Sequence, residues 1–305
     1  MLRLIAYGGL TAALVACGNF APVFGFIGLI LSPLPIAILG CNENRNRAGI
    51  AELIAEALLL LLVSPYMALY FFVGYAPVAG MICALKDLQK SHSLTAGENI
   101  LAIFTVSIIA KLILMSVFWY LTGHNAMFPD TPQLEVILNE VYREQPALLE
   151  ALQMTLYLFP NMIPLLVVVY CGIEAFLNYS LCVRLTRKRK FFPEIPNFLT
   201  WRFPNSILFA LLFALMMGFF TDFRVWEEGA MFAFNLQLLL NVFVFLQGLS
   251  FLFWLITVRF KFGSLARILA CLALVFPITW LFVIMAGMGD IMVNFREKFS
   301  NRVSS

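Results

Sequence analysis

Four polar residues interrupt long apolar runs of the sequence, and their types could line a polar cavity inside a membrane. Lys111 lies in SIIAKLILMS, Glu174 lies in VVVYCGIEAFLNYS with Asn178 one helical turn later, and Asn241 lies in a later apolar run. An ionisable group at bilayer depth is costly, so it marks a functional site by default. In one interpretation, Lys111 and Glu174 pair or bind a solute. In the other, Lys111 reaches towards the interface and the amides hydrogen-bond to neighbouring helices.

The sequence AGMGDIM, residues 286–292, contains the G-x-G-D pattern found around one aspartate of intramembrane aspartyl proteases. That chemistry needs two carboxylates that share a proton. The other aspartates, Asp87, Asp130 and Asp222, all fall in predicted loops, and Asp87 and Asp290 are predicted at opposite membrane faces. An intramembrane aspartyl protease is therefore a functional hypothesis that ranks below the two given at the end of this section.

Other catalytic and metal-binding patterns are missing from the sequence. Its two histidines, His92 and His124, are predicted on opposite sides of the membrane, and neither HExxH nor GxSxG occurs. The six cysteines show no CxxC spacing and mostly lie in apolar runs, as small packing residues do. Since the basic runs are short and close to lipid, we also expect no nucleic-acid partner. The sequence predicts a non-enzyme without catalytic residues, metal or cofactor.

Composition places these residues in a membrane protein. Hydrophobic residues make up 62% of the chain and charged residues 12%, with a mean hydropathy of +0.91. A soluble domain carries roughly 25% charged residues, so most of this surface is predicted to face lipid. Apolar runs continue from residue 2 to residue 288, which predicts one all-α membrane domain over residues 1–305. Because a second apolar run follows the first at once, we interpret the N-terminus as a helical hairpin rather than a signal peptide.

Segments of about 20 apolar residues are long enough to cross the roughly 30 Å hydrocarbon core. The sequence predicts a bundle of eight or nine transmembrane helices, near residues 2–18, 20–40, 49–64, 66–86, 98–121, 154–183, 204–221, 229–257 and 264–288. Proline in GNFAP and in SPY predicts breaks after the first and third segments. The third segment is the weakest, because it is short and carries Glu52 and Glu56.

Charge in the loops predicts the orientation. Lys and Arg are concentrated in four loops, 41–48, 86–98, 184–203 and 258–264, whereas loops 122–153 and 222–228 are acidic. Because short cytoplasmic loops are rich in Lys and Arg, we expect a multi-pass protein of the bacterial cytoplasmic (inner) membrane with its N-terminus in the cytoplasm. Nine spans would leave the C-terminus outside, and eight would leave it inside. The acidic loop 122–153 is predicted to form an external amphipathic helix on the membrane face.

A stiff aromatic segment, FFPEIPNFLTWRFPNS at residues 191–206, follows the basic run RLTRKRK. Its prolines, which include Pro196 and Pro204, favour extended backbone in the residues before them. Trp201 is suited to the headgroup level of the membrane. Arg202 is expected to contact either lipid phosphate or the C-terminal ends of neighbouring helices, where cations are favoured. The segment is predicted to be an interfacial anchor that orients the seventh helix, with a gate or partner-docking lip as the alternative.

Small residues recur on one face of the first segment, at Gly8, Ala12 and Ala16. Faces of the small-xxx-small type let helices approach closely. The pattern predicts either a docking face for another membrane subunit or close packing within the first hairpin.

The chain resembles the YybS-like bacterial membrane proteins, the family described as domain of unknown function 2232. The resemblance covers essentially the whole chain and rests on PLPI, PEIPNFLTWRFPN, LLLNVFVFLQGLSFLFWL and GMGDIMVNFR. In the family pattern the last motif is a terminal signature, to which Gly289, Asp290, Phe295 and Arg296 belong.

This family is similar to the substrate-binding S components of energy-coupling-factor vitamin transporters. The resemblance implies a six-helix solute-binding core at residues 1–183, followed by C-terminal helices at 184–305. It also matches Ala12 and Ala16 to the AxxxA face with which S components contact their membrane partner. The C-terminal helices depart from the six-helix pattern, so we transfer no ligand residues.

Two leading hypotheses follow for the function. The first is a transport-related, solute-binding membrane subunit without its own ATPase, which depends on other membrane subunits for energy. The second is a membrane scaffold or regulatory protein that binds other proteins and no solute.

Overall fold

The computed structural model describes residues 1–20, 22–123, 131–143, 145–220, 227–261, 268 and 277–301. All regular secondary structure in these residues is helical, so the predicted all-α class is confirmed for the part of the chain they cover. The chain forms two compact units, Met1–Ile195 and Pro196–Ser305. We call them the first unit and the second unit and describe each by itself.

The described residues of the first unit form nine α-helices. In chain order they are α1 (Leu2–Phe20), α2 (Pro22–Leu31), α3 (Leu34–Asn42), α4 (Arg45–Leu62), α5 (Pro65–Gly74), α6 (Ala76–Leu88), α7 (Ala96–Thr122), α8 (Thr131–Val141) and α9 (Pro146–Leu185). The interruption between α4 and α5 agrees with the break predicted at SPY, whereas residue 21 of GNFAP, between α1 and α2, lies outside the described residues.

Two apolar segments that the sequence predicts as single helices are each broken inside the segment, between α2 and α3 and between α5 and α6. Pro33 and Pro77 lie three residues after Ile30 and Gly74. Proline has no N–H group with which to continue the helical hydrogen bonds. Because α2 and α5 end at Leu31 and Gly74, the carbonyl groups of Ile30 and Gly74 lie in a last helical turn within an apolar segment and need a partner from another helix.

The ends of α7 are fixed by local signals. Thr95 and Glu98 form a capping box, in which the Thr95 hydroxyl accepts from the Glu98 amide and the Glu98 carboxylate accepts from the Thr95 amide. At the other end Gly123 adopts a left-handed conformation with φ of 71°, which glycine takes without steric cost. The capped helix places Lys111 near its middle.

The helix predicted for loop 122–153 is divided in the structure. α8 ends at Val141, and Pro146 begins α9. Gln153 Nε2 donates to Asn139 Oδ1 over 2.9 Å, so α8 and the first turns of α9 lie side by side. α9 then continues for 40 residues. At 1.5 Å per residue it is about 60 Å long, about twice the thickness of the hydrocarbon core.

The core of the first unit contains a fully buried lysine. Its largest fully buried side chains include Tyr75, Tyr179 and Phe71, which are expected in an apolar interior, and also Lys111. Lysine is almost never fully buried unless it is paired. The fold around Lys111 must therefore supply partners for its charge.

The described residues of the second unit form four α-helices. They are α10 (Ser206–Phe220), α11 (Glu227–Trp254), α12 (Pro277–Val293) and α13 (Phe295–Asn301). α11 and α12 approach very closely, because a Cβ atom on Gly248 would overlap the carbonyl oxygen of Val283, and one on Gly287 would overlap that of Val244. Glycine is therefore required on both sides of this helix pair.

Five helical stretches of the described residues are long and apolar enough to cross a membrane: Gly25–Asn42, Pro65–Leu88, Ala96–Thr122, Met162–Leu185 and Gly229–Arg259. Three shorter apolar helices are Leu2–Gly18, Ser206–Phe220 and Ile278–Val293. α4, which corresponds to the weakest predicted segment, belongs to neither group. The chain is a multi-pass membrane protein, and the count of eight or nine spans stays a prediction. Residues 264–276, where the ninth segment is predicted to begin, lie outside the described residues apart from residue 268.

Candidate functional site

A buried ion pair joins α7 to α9 in the first unit. Lys111 Nζ lies 3.1 Å from both carboxylate oxygens of Glu174, and neither side chain has exposed surface. Ser107, one turn before Lys111 on the same face of α7, donates its hydroxyl to the Glu174 carboxylate. The sequence left the pairing of Lys111 with Glu174 as one of two alternatives, and the structure contains the pair.

The break between α5 and α6 completes the surroundings of Lys111. The carbonyl oxygen of Gly74, the last residue of α5, accepts a hydrogen bond from Lys111 Nζ over 2.5 Å. The ring of Tyr75, the next residue, has its centroid 3.5 Å from Nζ, within the range of a cation–π contact. A Cβ atom on Gly74 would lie 2.8 Å from Leu114 Cδ2. Glycine at this position therefore allows the break to approach α7.

Tyrosine hydroxyl groups extend this polar site. The hydroxyl oxygens of Tyr75 and Tyr170 are 2.6 Å apart, and those of Tyr70 and Tyr75 are 3.5 Å apart. The Tyr170 ring centroid lies 5.6 Å from Lys111 Nζ. The ion pair and these three tyrosines form a continuous polar chain across α5, α7 and α9.

Asn178 connects the second helix break to the same part of α9. Its Nδ2 atom donates to the carbonyl oxygen of Ile30 over 2.7 Å and to that of Glu174 over 2.8 Å. The Oδ1 atom of Asn178 is buried and has no hydrogen-bond partner among the described residues. Asn241, the fourth residue predicted for the cavity, is half-buried on α11 in the second unit, so the structure describes it apart from the other three.

The groups around the Lys111 ammonium are those that bind small cations. A carboxylate, a backbone carbonyl and the face of a tyrosine ring each stabilise positive charge. In this conformation the cation they hold is the Lys111 side chain itself, and both charges are closed off from solvent. Burying two charges costs several kcal/mol per ion, a cost that their attraction and additional hydrogen bonds offset.

We refer to Lys111, Glu174, Ser107, Gly74 and Tyr75 as the ion-pair site. Sequence analysis missed three of these residues, namely Gly74, Tyr75 and Ser107. The signal for the first two is the sequence GYAP, in which glycine and proline interrupt an apolar run. Ser107 carries no comparable signal, since serine in an apolar helix is common.

A second polar cluster lies in the second unit. Asp290 Oδ2 accepts hydrogen bonds from Gln247 Nε2 over 2.5 Å and from Arg296 Nε over 3.0 Å. Arg296 also donates to the carbonyl oxygen of Leu199 over 2.5 Å and to Ser250 Oγ over 3.1 Å. We call Asp290, Arg296, Gln247 and Ser250 the Asp290 cluster. It joins the segment before α10 to α11 and to the α12–α13 turn.

The Asp290 cluster fixes the aromatic segment by its backbone. Ser250 Oγ donates to the carbonyl oxygen of Phe198 over 2.6 Å, and the amide of Phe203 donates to Gln247 Oε1 over 3.0 Å. The indole nitrogen of Trp201 donates to the carbonyl oxygen of Pro196 over 3.1 Å, which closes the segment on itself. Three of the sequence motifs that carried the family resemblance therefore meet in one cluster.

The other residues of these motifs have different surroundings. Arg202 and Pro204 are exposed, so the predicted contact of Arg202 with lipid stays a prediction. Asn294, with φ of 53°, turns the chain between α12 and α13 and allows Arg296 to return to Asp290. A Cβ atom on Gly289 would lie 3.0 Å from the ring of Phe295. Glycine at 289 leaves room for this turn.

The surroundings of Asp290 differ from those of an aspartyl protease dyad. Its side-chain hydrogen bonds go to an amide and to a guanidinium group, and its Oδ1 atom has no partner among the described residues. A protease would need a second carboxylate that shares a proton with Asp290. The described contacts therefore give the protease hypothesis no support.

The small residues of α1 lie against another helix of the same unit. A Cβ atom on Gly8 would be 2.7 Å from the carbonyl oxygen of Ala51 on α4, and Ala12 is buried in the core. Ala16 is half-buried. Gly8 thus packs internally, against α4 rather than within the first hairpin, and a partner subunit at Ala12 and Ala16 stays a prediction.

Comparison with known proteins assigns the family. A family model described as "Predicted membrane protein (DUF2232)" matches residues 9–291 of the chain. The chain belongs to this family. The DUF2232 match extends from α1 into α12, so it includes the ion-pair site and three members of the Asp290 cluster, Gln247, Ser250 and Asp290, while Arg296 lies beyond its end.

A curated relative supports the DUF2232 assignment. The chain is 25% identical over 299 residues to the "Uncharacterized protein YybS" of Bacillus subtilis (strain 168), an alignment that covers 92% of this chain and 91% of the relative. The resemblance predicted from the sequence motifs is confirmed. No solved structure matches the chain. The similarity of the family to S components therefore stays a prediction.

Proposed function

We propose that this chain is a transport-related, solute-binding membrane subunit, that it is not an enzyme, and that the ion-pair site is where the solute binds. The chain carries no phosphate-binding loop, so partner subunits would supply the energy. The resemblance to S components likewise predicts that this chain binds the solute and that partner subunits supply the energy.

The observation that carries the proposal is that one broken helix contacts the charged pair and a second contacts Asn178, one turn after Glu174 on α9. The α5–α6 break gives its Gly74 carbonyl to Lys111, and the α2–α3 break gives its Ile30 carbonyl to Asn178. In many transporters discontinuous helices of this kind supply the carbonyl groups of solute and ion sites near the bilayer midplane. An ordinary packing interface has no need of interrupted helices.

The proposal assigns a specific role to the Lys111–Glu174 pair. With both charges buried, the structure corresponds to a closed site, in which Lys111 occupies the position of a bound cation. Solute entry would require Lys111 to release Glu174, the Gly74 carbonyl, or both. The tyrosine hydroxyls next to the pair could then hydrogen-bond to a polar solute.

For the membrane, we propose the bacterial inner membrane with the N-terminus in the cytoplasm. The basic loops at 41–48, 86–98 and 184–203 support this orientation, since short cytoplasmic loops are rich in Lys and Arg. The orientation would place the C-terminal end of α9 at the cytoplasmic face.

A membrane scaffold is the second candidate, and the closure of the ion-pair site favours it. A pair whose charges satisfy each other can serve only to fix the register of α7 against α9. In a scaffold the site would stay closed, and the exposed surfaces would carry the function.

One experiment separates the two candidates. The full chain is purified from native membranes, as wild type and as Glu174→Gln, and retained small molecules and subunits are identified by mass spectrometry. The proposal expects a small molecule that the wild type retains and Glu174→Gln loses. If both proteins retain the same partner subunits and no small molecule, the transport function is wrong and the scaffold is supported. Lys90→Gln, which changes an exposed charge, is the control.

A further inference from the structure

A cationic cavity lies beyond the C-terminal end of α9 in the first unit. Its volume is about 530 Å³. Arg187, Lys188 and Lys190 supply its positive charges, Glu194 supplies its one negative charge, and Phe191 and Phe192 form an apolar wall. The ion-pair site does not use any of these residues.

The balance of charge in this cavity favours an anionic ligand. Arg187 Nε lies 3.2 Å from Glu194 Oε1, so the one carboxylate of the cavity is paired. In the part of the chain that the structure describes, Lys188 and Lys190 have no carboxylate partner, and both are exposed. Two uncompensated ammonium groups therefore remain for a ligand.

The apolar wall of the cavity is anchored in the core, so the cavity is formed in advance. Phe192 is 7% exposed, and its ring packs edge-on against Tyr179 with centroids 5.8 Å apart. The Tyr179 hydroxyl donates to the carbonyl oxygen of Pro193 over 2.9 Å and receives a hydrogen bond from Asn99 Nδ2 over 3.3 Å. These contacts fix the backbone directly after the lysines.

The basic turn itself is also held. Arg189 Nη1 donates to the carbonyl oxygen of Asn42 over 2.5 Å, so this arginine is used for structure rather than for the cavity. Lys86 lies over the Phe191 ring, with Nζ 5.1 Å from the centroid. Lys190 adopts a left-handed conformation with φ of 48°. The turn therefore presents Lys188 and Lys190 from a fixed backbone.

The position of the cavity along the chain identifies the source of the anion. The apolar stretch Met162–Leu185 ends at the cavity, and Val183 contributes to its lining. A ligand there would have its charge at the lysines and its apolar part beside the phenylalanines. Basic pockets next to transmembrane helices bind anionic lipid headgroups in this way.

We propose that this cavity is a binding site for the phosphate headgroup of an anionic phospholipid. Lys188 and Lys190 hold the phosphate, while the Phe191 and Phe192 rings contact the first methylene groups of the acyl chains. Binding fixes the end of α9 at the membrane surface. The proposal is independent of whether the ion-pair site binds a solute.

The test measures lipid binding to the full chain by native mass spectrometry in detergent. Dioleoyl phosphatidylglycerol is titrated against dioleoyl phosphatidylcholine, and inorganic phosphate is added separately as a soluble competitor. The variant Lys188→Gln/Lys190→Gln removes both ammonium groups. Arg45→Gln/Arg184→Gln is the matched control, because it removes two exposed cations that do not line the cavity.

The wild type is expected to bind phosphatidylglycerol in preference to phosphatidylcholine, and the variant that lacks both lysines to bind it about thirty-fold more weakly. The matched control should bind like the wild type. Equal binding of the two lipids, or an equal loss in the matched control, would overturn the proposal. Displacement of phosphatidylglycerol by millimolar phosphate would identify a soluble phosphate site instead. Because the substituted side chains are exposed, the thermal midpoints of all three proteins should agree.

Discussion

Lys111 donates its shortest hydrogen bond to the carbonyl oxygen of Gly74, over 2.5 Å. Gly74 is the last residue of a helix that stops inside an apolar segment, and Lys111 lies near the middle of another helix. The lysine therefore satisfies two demands at once, the negative charge of Glu174 and a carbonyl group that has lost its helical partner. This double use distinguishes the site from a simple interhelical ion pair.

The coupling between Lys111 and Glu174 predicts a non-additive effect of mutation on stability. Lys111→Met or Glu174→Gln alone leaves the other charge buried and unpaired, which should cost about 3–5 kcal/mol. The double variant removes both charges and should be more stable than either single variant. The measurement is the thermal midpoint of the purified chain in detergent, and Lys90→Met serves as the exposed control. A double variant no more stable than the worse single variant would show that the pair is not coupled.

The Asp290 cluster predicts a local effect on the aromatic segment. Arg296→Ala removes the hydrogen bond to the Leu199 carbonyl and leaves the Asp290 carboxylate without its cation. Each hydrogen bond to a charged group contributes about 1.5–3 kcal/mol. Amide hydrogen exchange at residues 197–203 should accelerate, including at Phe203, whose amide is held by Gln247. Arg202→Ala changes an exposed arginine nearby and should leave this exchange unaltered; equal acceleration in both variants would argue against the cluster.

Because α11 and α12 approach closely, we predict that alanine destabilises the protein at Gly248 but not at Gly218. Gly248→Ala would force the new methyl group into the Val283 carbonyl oxygen, which can yield only if the two helices separate. Overpacking of this kind costs about 1–3 kcal/mol or more. Gly218→Ala on α10 meets no described atom within 4 Å and should be neutral or slightly stabilising. Thermal midpoints of the two variants test the difference, and a tolerated Gly248→Ala would contradict the packing described for α11 and α12.

The surroundings of Glu43, in the turn after α3, predict that the stability of the folded protein depends on pH. Its carboxylate accepts from Arg47 Nη1 over 2.6 Å and lies 3.5 Å from Arg3 Nη1. The hydrogen bond from Arg47, followed by the charge of Arg47 and the contact with Arg3, lowers the pKa of Glu43. A lowered pKa means that the stabilisation is complete above the pKa of the unfolded carboxyl group. It is lost as the pH falls through the lower pKa of the folded state.

Glu43→Gln should abolish this contribution to the pH dependence, since glutamine does not titrate. The measurement is the thermal midpoint of wild type and variant as the pH is lowered from neutrality. Their difference should be largest at neutral pH and shrink under acid conditions. A difference that is constant with pH would show that the Glu43 charge does not contribute.

The helices of the bundle could be predicted from the sequence because long apolar runs have a direct physical cause. The breaks inside two of these runs were missed. A single Pro33 or Pro77 within an apolar segment hardly changes its mean hydropathy, yet it removes a backbone donor. Average composition reports that a segment enters the membrane and is insensitive to where its helix stops.

The partners in the two polar sites could be predicted only in part. Lys111 and Glu174 are conspicuous because charge is rare in apolar runs, so both were found as candidates. The Gly74 carbonyl is a backbone group, and because every residue has one, the residue type does not indicate which carbonyl accepts a hydrogen bond from Lys111. The link between Asp290 and Gln247 joins residues 43 positions apart, and only the packing of α11 against α12 brings them together.

The two interrupted helices also have a consequence for how the protein is made. Ile30 precedes its partner Asn178 by 148 residues, and Gly74 precedes Lys111 by 37. Because synthesis proceeds from the N-terminus, the first hairpins enter the bilayer long before α9 exists. A carbonyl group without a partner in lipid costs several kcal/mol. The nascent hairpins are therefore expected to stay near the translocation machinery, or to bend differently, until α7 supplies Lys111 to Gly74 and α9 supplies Asn178 to Ile30.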